Sequence, residues 1–226
     1  DARRIAAKGQ EVFALHNFYP RPETGLDEEY LMETTARLRE AGLSVQAFIP
    51  GDTLLRGPLH EGLPTLEMHR HVLPSAAFVD MALRFGMDDI FLADPGLSRK
   101  EQERIAHFCK TGIICVPAKL EKGWEHLYGK VFPCRIDSPR WLIRFQESRI
   151  YSCQGDLVEP KNCTQRRRGV ITVDNRLYGR YSGELMLIRE DLPVDDRVNV
   201  IGSVPENALL LVDRIGRGAK FMLVEE

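Results

Sequence analysis

The 226-residue chain carries 31 Lys and Arg against 33 Asp and Glu, with 43% apolar residues and a mean hydropathy of -0.26. That length holds one large domain or two ordinary ones, and no apolar run approaches the ~20 residues that cross a bilayer. No basic-then-apolar leader is read at the start, and five cysteines without C-x-x-C spacing fit a reducing compartment, so a cytoplasmic protein without a zinc site is expected.

The chain opens with Asp1-Ala2-Arg3-Arg4-Ile5-Ala6-Ala7-Lys8-Gly9, which reads as the end of a helix and implies a preceding βα stretch. A strand-like run, Val12–Leu15, leads to a helix over Asp27–Ala41 with Tyr30, Leu31, Thr34 and Leu38 on its apolar side. Asp27-Glu28-Glu29 suits the positive end of the helix dipole, and Gly42 is a stop signal. The next strand is Val45–Ile49, followed by a long loop over 50–67 and a helix through Ala76–Phe85 that ends at Gly86. Asp89–Ala93 reads as a third strand. Ser98 reads as the N-cap of a helix over Arg99–Thr111, with Glu101 completing a capping box. Ile113–Pro117 reads as a fourth buried strand. Alternation at this spacing implies parallel strands with right-handed helical crossovers.

Beyond about Val131 the helical period gives way to short strand-like runs. These are Trp141–Phe145, Gly169–Val173, Gly183–Ile188, Arg197–Gly202, Ala208–Val212 and Lys220–Val224, separated by turn material such as Asp174-Asn175. Many short strands imply a compact β barrel or sandwich. Two domains are therefore expected, 1–126 and 127–226. Residues 130–182 hold 11 Lys and Arg against 5 Asp and Glu, which points to an anionic partner or to a solvated basic face. No recognition-helix or aromatic stacking motif accompanies that charge, so neither a nucleic acid nor a membrane is expected as partner.

Chemistry concentrates in two loops just past strand ends, His16–Gly25 and Arg56–Glu67. Both set Arg, His, Glu and aromatic or apolar groups between Gly and Pro residues, as an α/β scaffold does at the rim of a site. His16-Asn17-Phe18-Tyr19-Pro20-Arg21-Pro22-Glu23-Thr24-Gly25-Leu26, the stretch from Arg56 to Glu67, and Asp174-Asn175 through Tyr178-Gly179-Arg180-Tyr181-Ser182-Gly183-Glu184 together resemble the MupG-like family, which contains bacterial 6-phospho-N-acetylmuramidases. The resemblance extends over essentially the whole chain. It implies an α/β plus all-β architecture, the C-terminal half of a (β/α)8 TIM barrel followed by a cyclophilin-like β barrel. It also implies hydrolysis of 6-phospho-N-acetylmuramyl-N-acetylglucosamine in peptidoglycan salvage, without a cofactor. A hydrolase of another phosphorylated amino sugar, or a non-catalytic fragment that binds a phosphosugar or a partner, are the alternatives.

Glycoside cleavage ordinarily uses two carboxyl groups flanking the bond. Glu61 and Asp94 are the catalytic candidates, Asp94 because it immediately follows a barrel strand. Glu61 has the alternative role of an ion pair with Arg56, and Asp94 that of a turn or cap beside Pro95. Glu67 is placed with the substrate-binding groups or in a first helical turn, and Glu23 with the turn before Gly25. Arg21 and Arg56 suit an anionic substrate, and His16, Asn17 and Tyr19 suit hydrogen bonds and a sugar face. The alternative role of His16 and Asn17 is local loop bracing. Asn175, Tyr178 and Arg180 are the substrate-binding candidates of the β domain, or else members of a packed hairpin. Arg144 and Arg149 belong to the same basic segment. His69 and His71 flank Arg70 without a metal-binding spacing, and no metal is expected.

Overall fold

The structure, a computed structural model, describes residues 12–148 and 157–226. The helix end read at Asp1–Gly9 and the candidate Arg149 lie outside the described residues. The chain divides into two compact units, Asp1–Ala106 and His107–Glu226.

In the first unit, β1 (Phe13–Leu15), β2 (Ser44–Ile49) and β3 (Asp89–Leu92) form a parallel sheet in that order. Between them lie α1 (Glu28–Glu40) and α2 (Pro74–Leu83), and α3 (Arg99–Thr111) follows. The start of α1 is set by Asp27, whose side chain accepts from the Tyr30 amide at 2.8 Å. Glu28 and Glu29 in the first turn and Arg37 and Arg39 in the last complement the dipole. Leu31 and Thr35 face inward, whereas Tyr30, expected on the apolar side, is exposed because it lies one step off that stripe. The capping box at α3 is only half formed. Ser98 Oγ takes the Glu101 amide at 3.4 Å, but the buried Glu101 carboxylate accepts instead from the Ser75 amide in the first turn of α2 and from Arg104.

Period-two alternation splits β2 between two environments. Val45, Ala47 and Ile49 pack with Leu31, Leu66, Ala77 and Met81 into the core beneath the helices. The opposite face, where register aligns Phe13 with Ser44, Leu15 with Gln46 and Phe48 with Phe91, carries no helix of this unit. There Phe13, Leu15 and Phe91 are large apolar groups 43% or more exposed. Among the described residues, the unit is thus an open three-stranded parallel sheet with its helices packed on one face.

The run after α3, expected as a fourth strand of this sheet, belongs elsewhere. It forms β4 (Ile114–Leu120), hydrogen-bonded in parallel to β10 (Lys220–Glu225) and at its end to β9 (Val198–Ser203). A strand with five consecutive buried residues needs neighbours on both sides, and β9 and β10 supply them. The expected division at 126/127 therefore falls inside the second unit.

The second unit's sheet runs β5-β10-β4-β9-β7-β8-β6, adding β5 (Val131–Pro133), β6 (Leu142–Arg144), β7 (Val170–Asp174) and β8 (Leu185–Ile188). It curls until its edges meet: Cys134 and Phe145 form a bridge, Arg135 donates to the Arg144 carbonyl and Gln146 to that of Pro133, both at 2.9 Å. Closure leaves no free edge at that seam. Phe132, Phe145 and Phe221 fill the interior with centroid separations of 4.7 to 6.1 Å. The strand expected at Ala208–Val212 is instead a 3-10 turn, Glu206–Ala208, leading into α4 (Leu209–Arg214). An uninterrupted Ala-Leu-Leu-Leu-Val run has no period to separate strand from buried helix.

Five arginines of the basic segment are engaged in internal ion pairs. Arg135 pairs with Asp137, Arg140 with Glu190, Arg144 with Asp137 and Glu184, Arg168 with Asp213, and Arg176 with Glu159. No helix among the described residues is long and apolar enough to cross a membrane.

Candidate active site

The loops after β1, β2 and β3 gather at the strands' C-terminal ends, and three buried or half-buried groups hold them. Asp94, just past β3 and 3% exposed, accepts from the amides of Gly51 (2.9 Å), Arg56 (2.9 Å) and Leu63 (3.1 Å). Both its oxygens are spent on the loop after β2, and none of the three bonds involves Pro95. Glu67 accepts from the amides of Glu23 (2.8 Å) and Gly25 (2.7 Å) in the loop after β1, and from Arg70 at 2.6 and 2.7 Å. Those donors, Arg70 foremost, pull its pKa down to about 2. A Cβ on Gly25 would lie 2.6 Å from Glu67 Oε2, so glycine is required for this approach.

Arg70 completes the frame. It is 7% exposed and donates to the carbonyls of Gly62 (2.9 Å), Tyr19 (3.0 Å), Arg21 (3.2 Å) and Glu61 (3.3 Å) as well as to Glu67. One guanidinium therefore stitches both loops together. Its neighbour His69 is bound to Asp80 at 2.8 Å with both side chains wholly buried, a packing pair behind the rim. Thr65 adds another tie, giving its hydroxyl to the Asn17 carbonyl and accepting from the Phe48 amide.

On this frame the exposed groups differ in kind. Glu61 and Glu23 are exposed and make no hydrogen bond through their carboxylates among the described residues. Glu61 forms no ion pair with Arg56, whose guanidinium lies over the Phe18 ring at 5.7 Å. Phe18 meets Phe48 edge-on at 5.1 Å and Phe48 meets Phe91 at 5.9 Å, an aromatic floor running from the sheet face opposite the helices to the loop. Arg21 is exposed, Tyr19 half-buried, and Asn17 accepts from the Phe18 amide. His16 faces the helix layer, 7% exposed and 3.0 Å from Thr35 Oγ1, and burial lowers its pKa. Glu23 (φ 68) and His60 (φ 59) both occupy the left-handed region. Such strain persists where surrounding bonds over-determine it, here the Glu23 amide on Glu67 and His60 Nδ1 on the Leu55 carbonyl.

Residues 2–107 match the family described as 6-phospho-N-acetylmuramidase, N-terminal, and residues 115–224 that described as 6-phospho-N-acetylmuramidase, C-terminal. The chain belongs to the 6-phospho-N-acetylmuramidase family. This member is similar in structure to a conserved protein of unknown function from Enterococcus faecalis, 31% identical with a TM-score of 0.87, over 100% of this chain and 63% of that one. It is also similar to an uncharacterized B. cereus protein, 25% identical with a TM-score of 0.77, over 94% of this chain and 63% of that one. The chain thus spans less than two thirds of either neighbour's length. None of the curated proteins matches it.

In this 6-phospho-N-acetylmuramidase family member the remaining sequence candidates lie in the second unit. Asn175 is wholly buried and spent: its amide donates to the Asp196 carbonyl and to Asn199, and its oxygen accepts from the Leu177 amide. Tyr178 gives its hydroxyl to Asp195 at 3.3 Å beneath the Arg197 guanidinium, and Arg180 bonds the Tyr181 hydroxyl at 2.8 Å. Beside them Asp174, 3% exposed, is pushed up to about 7 by burial and then by Glu184 and Asp195. Sequence reading missed Arg70, Phe48 and Phe91. Phe48 and Phe91 were detectable as alternate residues of two strands facing away from the helices; Arg70 has a local signal only in Glu67 three residues before it, and none for the four carbonyls it binds.

Proposed function

We propose that the protein is a glycoside hydrolase that adds water across the glycosidic bond of 6-phospho-N-acetylmuramyl-N-acetylglucosamine, in intracellular peptidoglycan salvage. The observation that carries this reading is the match of both halves of the chain to the 6-phospho-N-acetylmuramidase family. In the same reading the first unit is part of a (β/α)8 barrel and the second is cyclophilin-like.

The geometry of the first unit supports a division of labour. Glu61 is an unoccupied carboxyl on a loop immobilised from below, and is assigned as the acid-base group. Asp94, with three amides on its two oxygens, is assigned to hold that loop rather than to exchange protons. Arg21 and Arg56 supply positive charge for the phosphate and the lactyl carboxylate. Tyr19 and the Phe18–Phe48 floor offer ring faces to the sugar. Glu67 is a brace, ionised at every physiological pH.

Mass spectrometry of the phosphodisaccharide incubated with the chain, and with a form extended to the length of its structural neighbours, tests the reading. Release of 6-phospho-N-acetylmuramic acid and N-acetylglucosamine, lost in Glu61→Gln, is expected. A folded extended form that binds the disaccharide without cleaving it would replace the hydrolase with the binding alternative.

A further inference from the structure

The second unit contains a cavity of ≈ 590 Å³, within the range of small-ligand sites. Its lining comes from three stretches: Glu121–Trp124 after β4, Val158–Asn162, and Asn199–Ile201 of β9. The walls are built to hold shape. Buried Asn199 accepts the Lys161 amide at 3.0 Å and donates to the Glu159 carbonyl at 2.7 Å. Asn162, at φ 52, exchanges two bonds with Val200, its side-chain amide to the carbonyl at 2.9 Å and its own carbonyl accepting at 3.1 Å. On the other wall the Glu121 amide donates to the Ile201 carbonyl at 2.8 Å and the Trp124 amide to Glu121 at 3.0 Å.

What this frame presents is chemically selective. Trp124, half-buried and stacked on the His126 ring at 5.9 Å, leaves one indole face for a ligand, with Val158 and Val200 as further apolar lining. Lys122 and Lys161 are exposed and form no ion pair among the described residues, although Lys122 feels the nearby charge of Glu125. Glu159 is already neutralised by Arg176 at 2.6 Å, which leaves the Glu121 carboxylate and Asn162 Oδ1 as open acceptors among the described residues. Two ammonium groups suit an anion, an indole face suits a ring, and free acceptors suit hydroxyl donors. A phosphorylated sugar combines all three in a molecule of this cavity's size.

We propose that this cavity binds a phosphorylated monosaccharide, its ring on Trp124, its phosphate on Lys122 and Lys161, and its hydroxyls on Glu121 and Asn162. The inference rests on the second unit alone and stands apart from the hydrolase reading. The chain has two tryptophans, so Trp141→Phe leaves Trp124 as the only indole reporter. Fluorescence titration of that variant with N-acetylglucosamine 6-phosphate should show saturable change, with N-acetylglucosamine and inorganic phosphate each binding at least about tenfold more weakly. Lys122→Ala and Lys161→Ala, both at exposed positions, should each weaken it about tenfold. Arg21→Met and Arg56→Met should leave it unchanged, which separates this site from the loops of the first unit. No saturation with the phosphosugar, equal affinity for phosphate alone, tighter binding of adenosine monophosphate, or an unaltered affinity in the double lysine variant would each overturn the proposal. Failure of disaccharide hydrolysis with the titration intact would remove only the hydrolase reading.

Discussion

Arg70 and Glu67 face each other in a two-armed ion pair, Nε to Oε1 at 2.6 Å and Nη2 to Oε2 at 2.7 Å, and between them they also bind six backbone groups of two loops. The guanidinium is nearly sealed from water while the carboxylate keeps a partly exposed edge. Removing either partner orphans the other together with several backbone groups. Arg70→Ala is expected to cost ~3–5 kcal/mol, and Arg70→Lys to recover little of it because an ammonium cannot reach both oxygens and four carbonyls in one plane. Urea denaturation of the two variants checks this; a Lys variant as stable as the parent would show that the fork geometry is unimportant.

The same pair gives a pH signature. Glu67 titrates at about 2 in the folded chain and at roughly 4.3 in an unfolded one. Its contribution to stability is present above the unfolded value and is lost as pH falls from about 4 through 2. Glu67→Gln should be less stable at pH 6 and flatter in the acid range, as followed by midpoint against pH.

Asp174 runs the opposite way. Burial, then Glu184 and Asp195, hold its pKa near 7, so the folded chain keeps a proton that the unfolded chain releases near pH 4. Stability should decline as pH rises from about 4 through 7, by up to ~4 kcal/mol, and level off above. Asp174→Asn removes the penalty, and should exceed the parent at pH 8 while matching it near pH 4. A variant no more stable than the parent at pH 8 would mean that Asp174 is solvated or paired in solution.

Glu61 and Asp94 should separate in kinetics. Glu61→Gln touches no internal bond, so kcat should fall by 10²–10⁴-fold with the melting temperature unchanged. Asp94→Ala leaves three amides unpaired, and should cost ~3 kcal/mol or more in stability while disturbing KM and kcat together. The reverse pattern, a stable but dead Asp94→Asn beside an active Glu61→Gln, would move the chemistry to Asp94.

How far these features could be read from the chain depends on the range of the interactions that make them. The limits of α1 follow from Asp27 and Gly42, whose signals act within a few residues, and they were legible. The two rim loops were legible as loops, because Gly and Pro spacing is local. The role of Glu67 was not. A carboxylate in a first turn looks like a dipole partner, and only the fold brings the Glu23 and Gly25 amides to it from more than forty residues away. Arg70 is half silent: its ion pair with Glu67 is three residues away, but its other four partners are carbonyls that carry no side-chain signal. The sheet that claims β4 was likewise beyond reach, since a buried apolar run advertises that it has neighbours but not which ones.

That pairing shapes the order in which the second unit can assemble. Register sets Ile114 against Phe221, so β4 emerges more than a hundred residues before the strand that flanks it in parallel. Until β10 arrives, the buried run of β4 has an open side, and Phe132 and Phe145 lack the third ring of their cluster. Closure so non-local is slow, and it exposes a sticky intermediate during synthesis. A chain cut short before Lys220 would carry most of the residues of a barrel and yet be a substrate for chaperones and proteases rather than a smaller version of the protein.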